Sequence, residues 1–86
     1  MAPSATAAVE TAKQDAVFVT LCARNGVHHA DGPAAEASVG RAVANDLASG
    51  VDPNAESNYI YTNANSTITH SDADAIVHAA EVAYLG

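Results

Sequence analysis

The sequence predicts an all-α protein, a small bundle of about four helices over roughly residues 15–25, 33–49, 53–63 and 70–85. Three observations lead there. Roughly a quarter of the residues are alanine, the best helix former. Apolar residues recur at spacings of three and four, which places them on one face of a helix. The periodic runs are bounded by caps, prolines and glycines suited to helix ends. With 86 residues the chain is read as a flexible leader, 1–11, and a single helical domain, 12–86. A domain of this size buries only roughly 60–65% of the surface its unfolded chain exposes. Trp is absent, and Phe18, Tyr59, Tyr61 and Tyr84 are the only aromatic residues. The core is therefore thin, and self-association would help it.

The leader, Met1 to Thr11, is rich in Ala, Ser, Thr and Pro, with room for helix from about Val9. In the first helix Asp15 reads as an N-cap. Val17, Phe18, Leu21 and Cys22 follow as an apolar stripe. Asn25-Gly26 stops the helix, with Val27 as the hydrophobic contact behind the stop. His28 to Gly32 is a solvated loop. Asp31-Gly32-Pro33 opens the second helix, whose face is read as Ala35, Val39, Ala42, Val43 and Leu47, ending at Gly50. Gly40 lies in its interior, where it costs about 1 kcal/mol relative to Ala, so a close helix crossing is expected there.

Asp52-Pro53 starts a weaker third helix through Ala55, Tyr59 and Ile60. A strand over Tyr59–Thr62 competes with it but has no partner. Asn63 to Ser66 reads as a turn, and Asn65-Ser66-Thr67 matches a glycosylation sequon, a triplet common by chance. In the fourth helix Thr69 caps with Asp72 three residues on, and Ser71 with Asp74 offers the same device. Ala73, Ile76, Val77, Ala80 and Tyr84 form its buried stripe.

The net charge is −7, with Lys13, Arg24 and Arg41 the only cations. Nucleic-acid binding draws on Lys and Arg against phosphate, so that class is excluded, and an anionic membrane surface is disfavoured. No apolar run approaches the roughly 18–20 residues that span a bilayer. Met1 to Gln14 lacks the apolar segment of a signal peptide. The expectation is a protein that stays where it is made, or a mature form whose signal has been removed. Cys22 is the only cysteine, which rules out an intramolecular disulfide.

Phe18 and Leu21 with Gly26-Val27, the run Gly40-Arg41-Ala42-Val43-Ala44-Asn45-Asp46-Leu47-Ala48-Ser49-Gly50, and Thr69 to Asp74 with Ala80 and Tyr84 form a familiar pattern. It resembles the small exported actinobacterial proteins of domain of unknown function 732, from about Asp15 to Leu85. The resemblance implies a cysteine late in the second helix and another in a Tyr-Cys-Pro ending, read as a disulfide. This chain has Ala44 and Leu85 at those positions. A missing bridge would remove about 2–4 kcal/mol. It also shifts the expected setting from export toward a reducing interior, including a phage or mobile-element copy. The resemblance implies that Ala44 and Leu85 lie close together, and it supplies no activity.

His70, Asp74 and His78 are spaced i, i+4, i+8, about 6 Å per step, a pattern that can hold a divalent metal. The plainer reading is a wet helix face. His28 and His29, adjacent on one loop, make a poor chelate alone. Cys22 could be a nucleophile, but within an apolar stripe a free cysteine behaves as a small hydrophobe. No nucleophile elbow, phosphate-cradling glycine loop or CxxC motif occurs, so no enzyme activity and no cofactor are expected. Tyr59 and Tyr61, two apart, cannot both be buried on one helix face. One should be exposed as a binding residue, with Val51 and Val82 adding apolar surface. The expected function is a non-enzymatic protein-interaction or self-association module. The alternatives are metal binding on the His/Asp face and an intracellular inhibitor of a basic host protein.

Overall fold

The computed structural model describes residues 5–64 and 68–86, with side chains from residue 11 onward. Four helices follow in order: α1 (Ala5–Arg24), α2 (Pro33–Ala48), α3 (Pro53–Asn63) and α4 (His70–Ala80). α4 runs directly into a π-helical turn, Glu81–Leu85. No strand occurs among the described residues, and Tyr59–Thr62 is helix. The sequon and half of the turn expected around it fall outside the described residues, as do Met1 to Ser4 of the expected leader.

The helix ends follow the local chemistry. At Gly26 (φ 73°) the Val27 amide donates to the Cys22 carbonyl and the Gly26 amide to that of Ala23. The same paired closure recurs at Gly50 (φ 100°), through Val51 to Asp46 and Gly50 to Leu47. Both are Schellman stops, which need the left-handed conformation that glycine adopts freely. Asp52 caps α3, accepting from the Asn54 and Ala55 amides, and Pro53 occupies the first turn. Thr69 and Asp72 close a reciprocal capping box on α4, each bond 3.0 Å.

α1, α2 and α4 pack mutually, and α3 lies against α4 and the edge of α2 without touching α1. The core is Phe18 and Cys22 from α1, Val43 and Ala44 from α2, and Val77, Ala79 and Ala80 from α4. Val27, Leu47, Ile60, Ile76 and Tyr84 pack around it. α3 is the least hydrophobic partner. Its buried residues are Glu56 and Ser57, and only Ile60 joins the apolar cluster.

Three expectations need correction. α1 begins at Ala5, not near Asp15, because the Ala-rich segment before Asp15 contains no helix stop. Asp15 is therefore interior and not an N-cap. Val17 lies outside the buried stripe and is 43% exposed. The buried face of α2 is Glu36, Ala37, Gly40, Val43 and Ala44, with Leu47 half-buried, whereas Val39 and Ala42 face solvent. Helices close on their smallest residues, so the contact centres on Gly40 and its alanine neighbours rather than on the larger Val39.

Gly40 is the tightest point. A Cβ there would stand 2.7 Å from the Phe18 ring. Overpacking of this kind costs about 1–3 kcal/mol, against a gain of about 1 kcal/mol in helix propensity. Gly40→Ala is accordingly predicted to lose up to about 2 kcal/mol in urea unfolding. A stabilised variant would show that the ring yields freely.

Candidate functional site

Polar side chains at core register form the first cluster. Arg41 from α2 donates to the Asp15 carboxylate in α1 at 2.5 Å, and to the Ser38 hydroxyl at 3.2 Å. The Tyr84 hydroxyl, from the last turn, donates to the other Asp15 oxygen at 2.7 Å. One carboxylate thus ties three elements. The Tyr84 ring lies 5.8 Å from that of Phe18, tilted by 41°. Burial first, and then the Asp15 carboxylate, raise the Tyr84 phenol well above its ordinary range, so it stays protonated as a donor. The sequence carried a signal for this cluster that the apolar stripe hides. Asp15, three and seven residues before Phe18 and Cys22, falls on the inward face of α1.

The second cluster is Cys22 with Glu36. Cys22 is fully buried, and Glu36 is only 7% exposed. Burial first, and then the charge and hydrogen bonding of Glu36, push the thiol up to about 12. At pH 7 that leaves on the order of 1 part in 10⁵ as the nucleophilic thiolate. Glu36 keeps one buried oxygen, Oε1, without a hydrogen-bond partner among the described residues. It sits in the first turn of α2, where the helix dipole favours a carboxylate.

The third group joins α3 to α4. The Tyr61 and His70 rings stack 3.7 Å apart at 20°. The Ser57 hydroxyl donates to Asp74. His70 and Asp74 are thus each engaged with α3, and His78 is exposed further along α4. Among the described residues no three His, Cys, Asp or Glu side chains converge as a metal set. In the loop after α1, His29 Nδ1 accepts from the Asp31 amide at 3.0 Å, and His28 is exposed. Tyr59 and Tyr61 are both exposed, at 63% and 41%, so two tyrosines and not one reach solvent. They point about 200° apart around the helix and form no common patch. Val51 and Val82 stand in solvent as expected, at 39% and 47%.

The chain belongs to the family described as "Protein of unknown function (DUF732)", whose model matches residues 12–85. No curated protein and no solved structure matches the chain. The cysteine pair implied by the family is absent here, and Cys22 is a free thiol. Ala44 is buried in α2, and Leu85 is 48% exposed in the terminal turn, which packs on α2. No helix among the described residues is long and apolar enough to cross a membrane.

Glu56, only 4% exposed, gives a pH prediction. Burial first, and then hydrogen bonding and repulsion from Asp46, raise its carboxyl above the ordinary Glu range. Its protonated form is the one the fold favours. The stabilisation is complete below the ordinary Glu range and is lost as pH rises through the raised folded value. Glu56→Gln keeps a neutral group at every pH. Wild type should match it near pH 4 and be the less stable of the two at pH 7, read by urea unfolding. A gap that is constant, or that widens toward acid, contradicts this assignment.

Proposed function

We propose that this protein works by binding another protein, and that it catalyses no reaction. The observation that carries the reading is Tyr59, 63% exposed on the solvent side of α3. Tyrosine offers a large apolar area with a polar tip and little rotamer freedom to lose, which suits it to interface anchors. Tyr61, held by its stack on His70, adds a second, pre-oriented aromatic surface. The state of the thiol supports the non-enzymatic half: Cys22, the residue best suited to nucleophilic chemistry, is buried and held protonated. A metal site on His70, Asp74 and His78 is the weaker reading, since two of the three are committed to α3. Inhibition of a basic host protein is one form that the binding could take.

Sedimentation of the labelled chain, alone and in an extract of its native host, tests this. The chain should sediment in extract well above its own 8.7 kDa. Tyr59→Glu should lower the complexed fraction at least tenfold, with an unchanged circular dichroism spectrum. A bare monomer under both conditions would sink the reading.

A further inference from the structure

α1 has a buried face and an exposed one. One presses Phe18 and Cys22 into the core. The opposite one presents Lys13, Ala16, Val17, Thr20 and Arg24, all exposed, with Leu21 half-buried beside them. At 100° per residue these positions fall within an arc of about 140°. Ala16, Val17, Thr20, Leu21 and Arg24 line an open trough of about 290 Å³.

The charge distribution gives that trough a direction. The chain has ten acids and three cations. Arg41 is taken by Asp15. The other two cations, Lys13 and Arg24, both stand on the outer face of α1, and neither makes an ion pair among the described residues. They lie eleven positions apart, about 16 Å along the helix; Arg24 lines one end of the trough, and Lys13 stands about one turn before Ala16 at the other.

We propose that the outer face of α1 docks an amphipathic segment of another protein, aliphatic in its middle and carrying carboxylates at both ends about 16 Å apart. The aliphatic centre would cover Val17 and Leu21, and the carboxylates would meet Lys13 and Arg24. This rests on the protein-binding reading for the kind of ligand, but it uses a surface separate from Tyr59, because α1 and α3 do not touch. A second copy of the chain is a poor occupant. Two-fold pairing of α1 sets cation against cation in either orientation, and two chains of charge −7 repel.

Two synthetic helical peptides with the same Leu/Ala face test the proposal, one ending in Glu at both ends and the other in Lys. They are titrated into the full ¹⁵N-labelled chain at low salt. The Glu-ended peptide should bind at least tenfold more tightly than the Lys-ended one, with shifts confined to residues 12–24. Lys13→Glu combined with Arg24→Glu should reverse the preference. Val17→Asp should weaken binding at least tenfold. These positions are exposed, so the variants should keep the wild-type spectrum elsewhere. Equal binding, no binding, or shifts centred on α3 would overturn the proposal. So would a dimer dissolved by Val17→Asp, or α1-dependent binding to phosphatidylserine vesicles, each of which assigns the face to another occupant. If both peptides fail while a Tyr59-dependent complex persists, this inference falls and the protein-binding reading stands.

Discussion

The contact between Gly40 and the Phe18 ring is the constraint on which the rest of the bundle depends. With so few large side chains, the chain gains little from each buried residue and must bring its helices close. Gly40 removes the side chain that would hold α1 and α2 apart, and the Phe18 ring fills the space. Ala37 and Ala44 continue the close approach, and Ala73, Ala79 and Ala80 do the same on α4. Over this seam lies Asp15, bonded to Arg41 and Tyr84. An exposed ion pair alone contributes roughly 0–1 kcal/mol. The value of the Asp15 cluster lies in its geometry: it joins α1, α2 and the last turn around the ring that packs them.

This arrangement accounts for the residues that carry the family resemblance. Phe18, Gly26, Val27, Gly40, Arg41, Gly50 and Tyr84 are occupied by packing, helix stops and the Asp15 cluster. Thr69 and Asp72 close a capping box. The residues that make the pattern recognisable are therefore engaged in building the fold. The proposed binding surfaces, around Tyr59 and along the outer face of α1, use side chains outside that set.

Much of the fold was legible because its punctuation is local. Gly26, Gly50, Asp52-Pro53 and the Thr69–Asp72 pair act within a few residues of themselves, so α1 and α2 end, and α3 and α4 start, where these residues stand. The close crossing at Gly40 was legible too, since a glycine inside an otherwise regular helix calls for a packing reason. The start of α1 was not, because Asp15 looks like a cap until its distant partners are known. The face of α2 was misread for a related reason. Periodicity weighted by side-chain size favours Val39, whereas packing distance selects Gly40, Ala37 and Ala44. The candidate sites were hardest to read. The stack of Tyr61 on His70 and the pairing of Ser57 with Asp74 depend on how α3 lies against α4, and no spacing within either helix encodes that.

Asp15 holds the Gly40–Phe18 seam closed by coupling α1 to the last turn. A double-mutant cycle on Asp15→Asn and Tyr84→Phe, followed by urea unfolding, measures that coupling directly. The interaction energy should be on the order of 1 kcal/mol, as expected for contacting residues in one hydrogen-bond network. Additive losses, with an interaction near zero, would contradict it.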